Sequence, residues 1–187
     1  MRCSWPHHYA RGANGKPLRC AAFQFITRAM QIDAESPRVK FPPPLAFIGT
    51  LLAGWVLERW IGEPAIPVIP YSLLHTMGMV SLVLGAAIIL TAQGLFLRSK
   101  TDSRPWKADQ HLIVEGVYRW SRNPMYLGMA LVYLGITMLN DSGTQLCLLL
   151  PLLFVLQKEV IEPEEAYLAG RFGAPYLAYK ASVRRWI

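Results

Sequence analysis

The chain has 187 residues, is 53% hydrophobic and only 17% charged, and has a mean hydropathy of +0.26. A soluble domain carries about 25% charge, so the composition argues against a soluble globular protein and excludes both disorder and a collagen-like repeat. The formal charge of +7 does not point to nucleic acid, because the first 29 residues hold five Lys/Arg and no acid while the remaining 158 hold 14 basic and 12 acidic residues.

Residues 1–40 read as a disordered leader, mixing Arg, Gly, Pro and His without an apolar period. They lack the apolar core of a secretory signal. An Arg-rich organelle transit peptide is one reading; translation beginning at Met30 is the simpler one. Residues 41–187 are expected to form a single domain. The cysteines Cys3, Cys20 and Cys147 show no CxxC spacing, so neither a disulfide framework nor a bound metal is expected.

Four apolar runs follow. Leu45–Trp60 is apolar up to Glu58 and Arg59, which are expected at the membrane interface. Tyr71–Leu97 carries no formal charge over 27 residues and at ~1.5 Å per residue is long enough to cross the bilayer with some tilt. Its Ser81 and Gly85, four residues apart, allow another helix to approach closely. Pro124–Asn140 and Thr144–Gln157 flank Asp141-Ser-Gly143 and read as a helical hairpin, with Pro151 expected to kink the second arm. The fold class is therefore all-α: an integral membrane bundle of about four transmembrane helices, followed by amphipathic cytoplasmic helices.

Loop charge sets the orientation. The connection 61–70 and the turn 141–143 contain no Lys/Arg, whereas the segment 98–122 holds six and the stretch after Gln157 holds five. The positive-inside rule places both termini and the 98–122 segment in the cytoplasm. The hairpin then brings two polar segments, 111–128 and 162–187, to the same side. In the first, Asn123 is positioned to cap a helix opened by Pro124. The free amides of that first turn and the planar donor of Arg122 suit a carboxylate. An ordinary reading is an interfacial belt of Tyr118, Trp120 and Tyr126 beside a snorkelling Arg122. In the second, Glu162 caps, Pro163 opens a helix, and Glu164 and Glu165 lie in its first turn, where they suit the helix dipole. One of these glutamates is alternatively a receiver of a ligand's ammonium or hydroxyl groups. Tyr176, Tyr179, Val183 and Trp186 recur at helical spacing, and Lys180, Arg184 and Arg185 suit anionic lipid headgroups.

Together, HLIV (111–114), GVYRWSRNPMYLG (116–128), EE (164–165), Leu168, FG (172–173) and YLAYKASVRRW (176–186) resemble the isoprenylcysteine carboxyl methyltransferase and phospholipid methyltransferase family of membrane enzymes. The resemblance runs over roughly residues 98–187. It implies a small helix bundle with a cytoplasmic pocket for S-adenosylmethionine, lined by His111, Leu112, Ile113, Val114, Tyr118, Asn123, Pro124, Met125 and Tyr126, with Glu164 as the cofactor-binding glutamate. Asn123 stands where many members have His. The isoprenylcysteine enzymes place a substrate-holding Arg four residues before that glutamate; here the position is Val160, and Arg122 or Lys158 is left to compensate.

The resemblance implies methyl transfer to a lipidic or amphipathic acceptor that arrives from the bilayer. Arg122 and Glu165 are the expected catalytic residues. Glu165 is the first candidate for general base should the acceptor be an amine, with His111 as the runner-up. Two alternatives stand beside this reading: a relative of the NADPH-dependent sterol-type reductases, and a non-catalytic membrane protein.

Overall fold

The computed structural model describes residues 41–62, 69–98 and 112–187, all within the compact unit 34–187. The leader assigned to 1–40 and the candidate ligand residue His111 lie outside the described residues. Among the described residues every regular element is helical: α1 (Pro43–Ile61), α2 (Tyr71–Arg98), a 3-10 turn (Gly116–Arg119), α3 (Pro124–Leu139), α4 (Gly143–Leu156), a π turn (Gln157–Ile161), α5 (Glu162–Phe172) and α6 (Ala174–Ser182). This is the expected all-α membrane bundle.

Among the described residues, three helical stretches are long and apolar enough to cross a membrane: Pro43–Ile61, Tyr71–Arg98 and the continuous Gly143–Phe172. The third expected span is instead a 16-residue apolar helix, α3, about 24 Å long. The last stretch continues helically past the end expected at Gln157. Five charged residues between Lys158 and Glu165 are costly in hydrocarbon, so the apolar part of this stretch ends near Gln157. Pro151 sits inside α4, on an exposed face, without ending the helix. The outward faces of α1 and α2 carry exposed Leu52, Trp55, Val56, Val80, Val83 and Leu90. In water such a surface drives association; in a bilayer it is the solvent-facing side of an integral membrane protein.

The tightest packing joins α2 to α3. Gly78, Ser81 and Gly85 on α2 are buried and face Gly128, Leu131 and Gly135 of α3. A Cβ on Gly85 would lie 2.6 Å from the Gly128 carbonyl oxygen, and one on Gly135 would lie 2.8 Å from that of Gly78. Backbones this close need small residues. The Ser81 hydroxyl donates to the Leu131 carbonyl at 2.8 Å, which satisfies its only polar group inside the membrane. Across the bundle, Phe47 of α1, Tyr126 and Tyr133 of α3, Leu149, Leu152 and Leu156 of α4, and Val160 and Ile161 of the π turn form one apolar core.

The hairpin turn at the far end is polar and closed. Asp141 adopts a left-handed backbone at φ 51°, and the Ser142 hydroxyl caps α4 by accepting from the Gln145 amide at 3.0 Å. The same hydroxyl donates to Glu58, which is 8% exposed. Glu58 was expected at the interface with Arg59. It is instead turned inward because the hairpin cap offers it a donor, while Arg59 lies over the Trp55 ring at 5.1 Å.

The π turn has a sequence cause. Pro163 has no amide hydrogen, and its ring would crowd the carbonyl four residues before it, that of Glu159. Widening the helix relieves this clash: the Glu162 amide donates to the Gln157 carbonyl, five residues back. The chain therefore reaches α5 with its phase shifted from that of α4, and Glu162 continues the helix instead of capping it. At the other end, α6 stops at Ser182 and Val183 is extended at φ −122°, ψ 135°. Val183 and Trp186 thus do not extend the amphipathic helix that their spacing suggested.

Candidate active site

The start of α3, the first turn of α5 and the strap of residues 183–186 meet at one end of the bundle. Leu112, Ile113 and Val114 approach in irregular chain, the first two half-buried and Val114 exposed. Gly116 then takes φ 58°, a conformation that favours glycine, and leads into the 3-10 turn that carries Tyr118. Tyr118 is buried, packs edge-on against Phe96 of α2 at 5.8 Å, and accepts a hydrogen bond on its carbonyl from the Tyr179 hydroxyl at 2.7 Å. Burial pushes the Tyr179 phenol up to about 12, against the opposing field of Arg122, so it remains a donor at neutral pH.

Asn123 occupies the residue before α3 but does not cap it. Its side-chain amide donates instead to the Arg185 carbonyl at 3.1 Å, and the Ser121 hydroxyl donates to the same oxygen at 3.2 Å. The cap expected of Asn123 is displaced by the strap, which presents an acceptor where the helix amides would otherwise have drawn the side chain inward. Pro124 is buried at the helix start and Met125 is half-buried beside it.

One turn along, the Tyr126 hydroxyl donates to Glu164 Oε2 at 2.8 Å. Two residues expected on one ligand, 38 positions apart in sequence, are thereby in contact. The neighbouring Glu165 points elsewhere. It is 4% exposed and faces three cations: Arg122 Nη2 at 3.2 Å, Lys180 Nζ at 3.3 Å and the Arg185 guanidinium, whose Nε and Nη2 reach its two oxygens at 3.0 and 2.9 Å. Burial alone raises the Glu165 pKa, but the Arg185 hydrogen bonds and the fields of Arg122, Arg185 and Lys180 outweigh it and leave the group below its ordinary value. Arg185 is correspondingly raised, chiefly by its hydrogen bond to Glu165. Burial, with the nearby Glu165 charge, raises the Tyr176 phenol beneath them.

This geometry does not suit Glu165 to the expected work of a general base. A carboxylate held ionised by three cations has little affinity for a proton. Its place is that of a buried anchor. Arg122, the other expected catalytic residue, is spent on the same anchor: Nη1 donates to the Lys180 carbonyl at 2.9 Å and Nη2 faces Glu165. Its buried Nε has no partner among the described residues.

The sequence reading missed the strap. Lys180 and Arg185, assigned to lipid headgroups, turn inward to Glu165. The Arg122 amide donates to the Arg184 carbonyl at 3.0 Å, and the Trp186 indole donates to Gln157 Oε1 at 3.2 Å. The available signal was charge complementarity between the EE pair and the KxxxRR cluster, about 20 residues apart. The backbone acceptors have no sequence signature.

A family model described as phospholipid methyltransferase matches residues 73–175. The protein-S-isoprenylcysteine O-methyltransferase of Saccharomyces cerevisiae is 41% identical over 85 residues, which cover 41% of this chain and 32% of that protein. That of Schizosaccharomyces pombe is 33% identical over 75 residues, covering 40% and 32%. The chain thus aligns with about a third of the length of each of these relatives.

Proposed function

The chain belongs to the phospholipid methyltransferase family, whose model covers more than half of it, and from this premise we propose that it moves a methyl group from S-adenosylmethionine to a lipidic or amphipathic acceptor. The observation that carries the reading is the Tyr126–Glu164 contact. It sets an oriented carboxylate at the junction of the two segments, suited to the ammonium or ribose hydroxyls of that donor. When bound, such a donor would supply an activated methyl group to the lone pair of the acceptor. The residues contribute alignment. Tyr126 fixes the Glu164 carboxylate, Glu165 and its cations fix the first turn of α5, and Tyr118 packs the approach against α2. The expected orientation places this end of the bundle in the cytoplasm, beside the basic segments.

The surroundings also bear on the acceptor. Val160, at the position where the resemblance places a substrate-holding arginine, is 0% exposed within the core. Both residues that were left to compensate are engaged, Arg122 with Glu165 and Lys158 with Glu162 at 3.0 Å. This favours an acceptor that needs no cation to hold a carboxylate over an isoprenylcysteine.

Calorimetric binding of S-adenosylhomocysteine to the detergent-purified chain tests the reading. Wild type is expected to bind, and Glu164→Ala to bind at least about tenfold more weakly, since a charged hydrogen-bond acceptor contributes about 1.5–3 kcal/mol. A folded wild-type protein that binds none would overturn the proposal, and NADPH binding in its place would favour the reductase alternative.

A further inference from the structure

We propose that Arg185 is a positioning residue of this site, cross-linking the start of α3 to the first turn of α5 and so setting the direction in which Glu164 points. The proposal rests on the methyl-donor reading above. Among the described residues three cations face Glu165, and of these Arg185 alone makes two parallel contacts, at 3.0 and 2.9 Å, the planar fork that fixes a carboxylate in angle as well as distance. Lys180 reaches Glu165 once, at 3.3 Å, from a side chain 41% exposed, and Arg122 once, at 3.2 Å.

The other half of the link is the Arg185 backbone. Its carbonyl accepts from the Asn123 side-chain amide and from the Ser121 hydroxyl, and Ser121 in turn accepts from the Asn123 amide at 3.1 Å. One residue therefore holds the side chain of Asn123 and that of Glu165 at the same time. On either side of it, the Arg184 carbonyl accepts from the Arg122 amide and the Trp186 indole donates to Gln157, which ties the strap to the same end of the bundle through contacts that do not use the Arg184 side chain.

The consequence for Glu164 follows from helix geometry. Successive residues on α5 are separated by about 100° around the axis, so fixing Glu165 fixes the heading of Glu164 as well. The π turn ahead of α5 sets the phase in which this helix begins, and the side-chain contacts of its first turn hold Glu165 and Glu164 within that phase. Without the Arg185 fork, Glu165 keeps two single-point cations and gains freedom to turn. Glu164 is then presented to Tyr126 and to the donor over a range of angles instead of one.

The test is S-adenosylhomocysteine binding by the full chain, measured well below each variant's unfolding midpoint. Arg185→Lys keeps the charge and loses the fork; its affinity is expected to fall about tenfold, within the range of coupled neighbouring contacts, with Arg185→Ala falling at least as far. Arg184→Ala, on the exposed side of the same strap, is expected to bind as wild type does. Glu165→Gln combined with Arg185→Ala is expected to bind no more weakly than Glu165→Gln alone, because both act through one link. Wild-type affinity in folded Arg185→Lys, or additive losses in the double variant, would overturn the positioning role while leaving the donor reading intact. Absence of binding by folded wild type would remove both.

Discussion

Gly85→Leu is expected to yield no stably folded protein, or one whose thermal midpoint in detergent is sharply lowered. A Cβ on Gly85 would stand 2.6 Å from the Gly128 carbonyl oxygen and 2.8 Å from the Val132 amide nitrogen. Both obstacles are backbone, so no rotamer change relieves them and the two helices must separate. Separation also breaks the Ser81–Leu131 hydrogen bond, which has no water to replace it in the bilayer. Overpacking of a close contact costs about 1–3 kcal/mol when side chains can adjust, and more here. Gly49→Leu on α1 provides the comparison, because nothing lies within 4 Å of a Cβ at that position. Equal thermal midpoints for the two variants, followed by size-exclusion chromatography after heating, would show that the α2–α3 contact is not the tight one.

The second large effect is expected at Glu165. Glu165→Ala strands the Arg122 guanidinium, 10% exposed, among groups that were arranged for an anion. Removing one partner of a buried pair costs about 3–5 kcal/mol. Arg185 and Lys180, at 29% and 41% exposure, recover part of their hydration, so the lower end applies. The wild-type pH response has a definite sign. Since the folded pKa of Glu165 lies below the ordinary 4.5, its contribution is complete above 4.5 and is lost as pH falls through the lowered value. Thermal midpoints of wild type and Glu165→Gln, measured from pH 7 down to 3, are expected to differ most above 4.5 and to converge at the acid end. A gap that widens toward acid would mean that Glu165 is not held ionised.

Features that depend on long uncharged segments or on local spacing were legible in the sequence. The hydropathy of Tyr71–Leu97 identified α2, the small pair Ser81 and Gly85 marked its contact face, and Asp141-Ser-Gly143 marked the hairpin. The turn also explains why the segments 111–128 and 162–187 were expected on one side, since a hairpin returns its two ends together; that Tyr126 and Glu164 share a ligand was implied by the resemblance alone. Features that depend on competition between partners were not legible. Asn123 has the composition of a cap, but a carbonyl 62 residues away draws its side chain off. Glu58 and Arg59 look alike as interfacial charges until the hairpin cap supplies a donor to only one of them. Glu164 and Glu165 are adjacent in sequence, and only the rotation of α5 determines that one meets a tyrosine and the other three cations.

That rotation begins at the π turn, which makes it a matter of counting before it is one of chemistry. Between the apolar core of α4 and the acidic turn of α5, residues 157–161 contain the surplus that an uninterrupted α-helix would not hold. Exchanging one side chain for another in this stretch alters packing but leaves the tally unchanged. Losing or gaining a single residue there would swing both glutamates about 100° around the axis, carrying Glu164 away from Tyr126 with no change in either residue. The spacing of this segment, more than its letters, is therefore what this chain must share with any relative that builds the same junction.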